Sequence, residues 1–441
     1  MNNNFFVKNK SIMTFLILEV LALTAFNFGN ISYIFGITGG VLALCGIPFV
    51  LQSETDKKSL LWLLLPVGLL FVISTIGAFN GFSKGFATAS NISLLVSLPA
   101  FFALGFFVRK LKDVKSKTVI MVLGVGLAAI TLFGLVSTVI EYGFFYSLIY
   151  KSTPNYYYNG IPYDVTKEMY WLGGFEFNEV FVEYGSLFAL LCASFLPGLL
   201  FISPKKDRNE FIISAGVGGI GLLTLIVISN WKALVVLVLA CEFALIYKFL
   251  KNNKNIQKIL GISFVSIIGL GILFFIIALI NAAIGFKFTG ILEKIFVSNS
   301  IMNKCTPVFE ALFEKGGSNL FGLQPTVLNE TITMKETSIF VVQLLKEVGL
   351  FGTLIFIGFV IMMGYFLYNY IKNSDDSDHM KVILVTMLLT FFIFETLFNV
   401  ILIAPHGEAY NAFLRSPELL VIIFVFGFIF ITPSKKEEKH E

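Results

Sequence analysis

The chain has 441 residues, of which 56% are hydrophobic, 15% aromatic and only 14% charged. A soluble domain carries about a quarter charged residues, so this composition, with a mean hydropathy of +0.85, excludes an ordinary soluble protein. The net charge of +4 is too small to imply a nucleic-acid surface.

Apolar runs of about twenty residues recur from end to end, each long enough to cross a bilayer. Backbone polar groups cannot stay unpaired in hydrocarbon, so these runs are expected to be helices. The expectation is an all-α, polytopic integral membrane protein with one membrane domain over residues 1–441. About twelve spans are predicted, near 11–28, 31–51, 59–79, 91–108, 118–140, 179–203, 211–229, 233–250, 259–282, 349–371, 382–403 and 418–433. The short basic segment Met1–Lys10 leads into an apolar run with no small-residue cleavage site, so the first run reads as a retained helix. Cys45, Cys192, Cys241 and Cys305 show no paired spacing. Three of them lie in apolar runs, where a Cys is usually a small packing residue. Neither a disulfide nor a zinc site is expected.

Lys and Arg set the orientation. With the N-terminus inside, the inner segments hold about 21 of the 32 Lys and Arg residues. They include Arg109, Lys110, Lys112, Lys115 and Lys117 in one loop and Lys205, Lys206 and Arg208 in another. Both termini are then cytoplasmic, and two outer loops are long: 141–178 and 283–337, the latter before the tenth span. The inner loops are too short for a nucleotide-binding fold, and no Walker pattern is present, so no cofactor is expected. Ser374-Asp-Asp-Ser-Asp378 reads as a solvated turn between two spans rather than a metal motif. No internal sequence repeat is visible, which weakens a transporter reading.

Charges inside spans are costly and are functional candidates by default. Here they are Glu19, Glu179, Glu183, Lys232, Glu242, Lys346, Glu347 and Glu395. Each is also readable as an interhelical ion pair or an interfacial anchor. Lys232, in Ile228-Ser-Asn-Trp-Lys-Ala233, is either a Trp-Lys anchor or a cation facing an outer cavity. Lys304 lies in a helix-like stretch of the large outer loop, where a lone lysine is usually solvated. Gly173-Gly-Phe-Glu-Phe-Asn-Glu179 makes a polar mouth at a helix start, where free amides either cap the helix or bind a polar ligand. Tyr156, Tyr157, Tyr158, Tyr163, Tyr170 and Trp171 precede it. Such aromatics suit sugar rings and also the membrane interface.

The large loop ends in Asn319-Leu-Phe-Gly-Leu-Gln324, then polar residues, then Glu336-Thr-Ser338 and Leu344-Leu-Lys-Glu-Val-Gly-Leu-Phe-Gly352. A bare connector needs only a few residues, so a loop of this length has a use. Taken in order, these motifs resemble the O-antigen ligase and repeat-unit polymerase superfamily of integral-membrane glycosyltransferases. The likeness runs over residues 170–400. The Gly-Gly-Phe-Glu-Phe-Asn178 mouth looks like that family's Gly-x-Phe-x-Asn, and Ser229-Asn-Trp-Lys-Ala233 looks like its Ser-Arg-x-Ala. Lys304, Phe321-Gly322 and the Leu344–Gly352 stretch look like its loop Arg, its Phe-Gly-x-Gly turn and its Leu-x-Glu-x-Gly-Leu-x-Gly helix.

The resemblance implies transfer of glycan from an undecaprenyl-pyrophosphate-linked donor on the outer face of a bacterial cytoplasmic membrane, without metal or nucleotide. Lys232 and Lys304 would hold the pyrophosphate in place of the family's two arginines. Lysine keeps the charge but loses the bidentate fork. No histidine stands near Glu336–Ser338, where the family has one, and His406 lies in another loop. Glu336 is then the expected general base, and Asn178, Glu179, Gly322, Ser338 and Trp171 are expected against the substrate. These departures point to a polymerase-like or divergent member, with lost activity as the other outcome. The implied partners are the polyprenyl-linked glycan, membrane lipid and other polysaccharide-assembly proteins. The competing classes are a polytopic transporter or lipid-linked oligosaccharide flippase and a non-catalytic assembly protein.

Overall fold

The structure is a computed structural model, and it describes residues 57–83, 88–110, 115–142, 156–158, 161–163, 181–227, 231–250, 320–322, 340–397, 414 and 417–430. Nine α-helices carry nearly all of these residues. They are α1 Lys57–Ser83, α2 Thr88–Lys110, α3 Ser116–Tyr142, α4 Phe181–Ala193, α5 Arg208–Val227, α6 Trp231–Leu250, α7 Phe340–Asn373, α8 Asp378–Leu397 and α9 Pro417–Ile429. Each falls on an expected span. Three contain stretches long and apolar enough to cross a membrane: Trp62–Asn80, Arg208–Ile226 and Glu347–Asn373. The spans expected at 11–28, 31–51 and 259–282, and both termini, lie outside the described residues.

The helices expose apolar side chains and bury several hydroxyls. Leu64, Phe71, Val238 and Phe249 point outward, while Thr131, Thr353 and Thr386 are buried. Those hydroxyls donate to carbonyls one turn back: Thr131 to Leu127 at 2.8 Å, Thr353 to Gly349 at 2.7 Å and Thr386 to Val382 at 2.8 Å. Back-bonding of this kind hides a hydroxyl where no water is present. Without a hydrophobic drive between helices, close contact needs small residues. Gly105 of α2 and Gly427 of α9 supply it. A Cβ on Gly105 would fall on the Phe424 carbonyl, and one on Gly427 on the Phe102 carbonyl. Around that crossing Phe102, Phe106, Phe359, Phe366 and Phe430 pack edge-on or tilted.

Four elements differ from the sequence expectation. The span expected at 179–203 stops being α-helical at Ala193 and continues as a 3-10 turn, Pro197–Phe201. The Pro197 ring would meet the carbonyl four residues back, which is Ala193, and the intervening amides of Phe195 and Leu196 tighten to three-residue bonds of 3.0 Å. The tenth span begins nine residues earlier than expected, at Phe340, and breaks at Gly349. Among the described residues the all-α expectation has one exception, in the loop 141–178. Tyr156–Tyr158 pairs antiparallel with Ile161–Tyr163, Tyr156 opposite Tyr163. Asn159-Gly160 between them is a strong hairpin signal.

The fourth difference is partial. Within Ser374–Asp378, Asp375 and Ser377 are exposed, as a solvated turn requires, but Ser374 is buried and Asp376 is engaged. Arg109 at the end of α2 donates to Asp376 Oδ2 at 2.6 Å and to Ser374 Oγ at 3.3 Å. Tyr370 donates to Asp376 at 2.7 Å, and the guanidinium lies 5.1 Å from the ring centres of Tyr370 and Phe428. Lys381 caps the end of α7 through the carbonyls of Ile371 and Ser374, at 3.1 and 2.7 Å. Burial alone would raise the Asp376 carboxyl, but the Tyr370 hydrogen bond and the Arg109 charge outweigh it and hold it below the ordinary value.

Candidate functional site

The motif helix α7 is built around its own interruption. Gly349 has φ 66° and ψ −168°, a backbone state that side-chain-bearing residues avoid. An intact helix would bond the Phe351 amide to the Glu347 carbonyl, four residues back. At the break the Phe351 amide donates instead to Leu320 O at 3.2 Å. The Glu347 carbonyl accepts from Asn80 Nδ2, at the end of α1, at 2.7 Å. The same Asn80 nitrogen donates to the carbonyl of Phe321.

The turn Leu320–Gly322 is thereby seated in the notch of α7. Gly322 has φ 132° and is buried. A Cβ there would strike Asn80 Nδ2, and a Cβ on Gly349 would strike the Leu320 carbonyl and the Gly322 amide. Both glycines are required by close approach as well as by backbone conformation. Phe321 and Phe351 stack at 5.1 Å and 25° on the outer side of this joint, and both are exposed.

Glu347 makes a second link. Its side chain is buried, and Oε2 accepts the amide of Leu414 at 3.1 Å. Leu414 in turn lies over Gly77 of α1, 3.1 Å from where a Cβ would stand. One carboxylate in α7 therefore ties down the approach to α9, while its carbonyl is tied to α1. Of the intramembrane charges singled out in the sequence, Glu347 takes the structural role of an interhelical anchor, and Glu242 is exposed.

Lys232 is the second residue of α6. The other end of that helix carries Tyr247, whose hydroxyl donates to Asp378 Oδ1 at 3.4 Å. Asp378 and Asp376 lie at the bundle end away from Asn80, so Lys232 starts α6 at the end where Asn80, Gly322 and Glu347 meet. The structure brings together the two loop motifs, around Gly322 and around Gly349, that the sequence separates. Trp171, Asn178, Glu179, Lys304, Glu336 and Ser338 lie outside the described residues; Glu336 and Ser338 shortly precede α7. Asn80 carried no sequence signal, since a lone Asn near a helix end reads as an ordinary cap. Phe321 and Phe351 sat inside the motifs without distinguishing themselves from other membrane phenylalanines. Compared with family models, curated proteins and solved structures, the chain matches none.

Proposed function

We propose that the protein is a glycosyltransferase of the O-antigen-ligase or repeat-unit-polymerase type, working at the outer face of a bacterial cytoplasmic membrane. The observation that carries this reading is the seating of the Leu320–Gly322 turn in the Gly349 break of α7. It makes one structural unit of two motifs that a transporter or a bare connector has no reason to join.

In this reading a polyprenyl-pyrophosphate-linked glycan enters beside the start of α6. Lys232 and Lys304 neutralise the pyrophosphate as the anomeric C–O bond to it breaks. A sugar hydroxyl of the acceptor attacks the anomeric carbon from the opposite side, and Glu336 takes its proton. Trp171, Asn178, Glu179 and Ser338 contact the sugars. Gly322 contributes backbone only, and the exposed Phe321–Phe351 stack offers an apolar plane to a sugar face. The test is reconstitution in lipid discs with a labelled polyprenyl-pyrophosphate glycan. The expected result is release of polyprenyl pyrophosphate coupled to glycan transfer, unaffected by a chelator. Intact donor after prolonged incubation with competent acceptor would overturn the proposal.

A further inference from the structure

At the bundle end away from Asn80 a cavity of about 280 Å³ opens among the first turns of α3, α5 and α8. Its walls carry both signs of charge. Lys115 and Lys117 come from the start of α3, Asp207 and Glu210 from the start of α5, and Asp375 from the turn before α8. Lys117 is paired with Glu210. Lys115, Asp207 and Asp375 are exposed and make no ion pair among the described residues.

His379 lines the same cavity and is 3% exposed. Its Nε2 lies 3.1 Å from Ser214 Oγ. Its Nδ1 is buried without a hydrogen-bond partner; Glu210 Oε2, at 3.8 Å, is too far to serve. The facing carboxylate favours the tautomer with the proton on Nδ1, and the single Ser214 hydroxyl proton then goes to Nε2 rather than to the weak thioether acceptor Met121 Sδ, 3.7 Å away. A buried N–H donor in a cavity wall is costly unless something fills it.

The surrounding features narrow the occupant. Three helix starts turn free amides and their positive dipole ends toward the cavity, and with Lys115 and His379 they suit an oxyanion. Asp207 and Asp375 suit a cation, and among the described residues no group of three His, Cys, Asp or Glu side chains is arranged to hold a metal ion. A simple anion would meet the carboxylates, and a simple cation the helix starts. Lys205, Lys206 and Arg208 are exposed at the turn that leads into α5 beside the cavity, as basic side chains are at lipid headgroups.

We propose that this cavity binds a phosphoethanolamine zwitterion, phosphate toward Lys115 and His379 and ammonium toward Asp207 and Asp375, supplied by a membrane lipid headgroup or by the soluble molecule. The site is independent of glycosyl transfer. An ammonium donates three hydrogen bonds to carboxylates, and a quaternary choline donates none, so the two lipids are distinguished chemically.

The experiment is native mass spectrometry of the full-length protein with phosphatidylethanolamine, phosphatidylcholine or phosphatidylglycerol of matched chains, and separately with soluble phosphoethanolamine. Phosphatidylethanolamine is expected to be retained about tenfold more tightly than either other lipid, the scale of one charge-assisted hydrogen bond. Asp375→Asn and Lys115→Ala alter exposed side chains and leave the fold intact; each is expected to remove that preference. Displacement of the lipid by soluble phosphoethanolamine, or binding of the soluble compound alone, assigns the site to the small molecule. Equal retention of all three lipids with no binding of the soluble compound overturns the proposal, as does a preference unchanged in both variants.

Discussion

The amide of Phe351 and the carbonyl of Glu347, which an intact helix would bond to each other, are each satisfied from a different part of the chain. The amide goes to Leu320 at 3.2 Å and the carbonyl to Asn80 at 2.7 Å. A helix break in lipid is tolerable only when the freed groups find partners. Here the partners are a loop turn and a distant helix, so the break converts a local defect into a three-way joint.

Asn80→Ala removes a donor shared by the carbonyls of Phe321 and Glu347, the latter part-buried. Leaving buried polar groups unmet costs about 1–3 kcal/mol. The variant is expected to unfold at lower temperature in detergent, and an external protease should cut loop 283–337 faster than in the unaltered protein. Unchanged stability together with unchanged cleavage would show that the joint holds without Asn80.

Gly349→Ala should be worse. The glycine has φ 66°, and a Cβ would meet the Leu320 carbonyl. Strained backbone and the clash together predict a loss of more than about 2 kcal/mol. Gly358→Ala in the same helix has nothing within 4 Å of the new Cβ and should be neutral or stabilising by about 0.5–1 kcal/mol. Denaturant titration of the pair separates backbone strain from a general intolerance of α7 to alanine.

His379 precedes the apolar part of α8, and its environment makes stability depend on pH. Burial pushes its pKa down to about 4, with Lys117 acting in the same direction and Glu210 and Asp207 opposing. The ring is therefore neutral in the folded protein at neutral pH. As pH falls below the ordinary histidine value of about 6.5, the unfolded chain takes up a proton and the folded one does not. Stability is full above that pH and declines toward pH 4, by about 3 kcal/mol over the window. His379→Gln should flatten the pH profile of thermal unfolding between those limits. An unchanged slope would show that another group titrates there.

Arg109 and Asp376 have side chains only 16% and 14% exposed. Removing one member leaves the other buried and uncompensated, a loss of about 3–5 kcal/mol. Asp376→Asn should therefore lower the unfolding midpoint markedly, and Arg109→Lys should recover only part of an Arg109→Ala loss, because the planar contact with Tyr370 and Phe428 is gone.

For the transfer reaction, Lys232→Ala and Lys304→Ala should abolish glycan transfer without lowering membrane protein levels, while arginine at either position keeps or improves it. Glu336→Gln should bind donor normally and transfer about a hundredfold more slowly, with Glu330→Gln as the neighbouring control. Normal transfer in both lysine variants would make those residues interfacial anchors.

The helical class and the positions of the nine described helices were legible from composition and apolar run length, because a run of that length and apolarity satisfies its backbone groups as a helix. The recurrence of Gly322 and Gly349 within motifs was also legible. Their mutual contact was not, because it depends on Asn80, more than two hundred residues away in the chain. The same limit explains Ser374–Asp378. Its acidity reads as a solvated turn until Arg109 and Tyr370 are brought to it by the packing of α2 against α9 and α7. The sequence alone determined which segments are apolar enough to form these helices, since that is a transfer free energy summed along a contiguous run. Only the tertiary structure decided which polar groups meet at either end, since a hydrogen bond or an ion pair depends on a separation of a few ångströms between residues that the chain order leaves far apart.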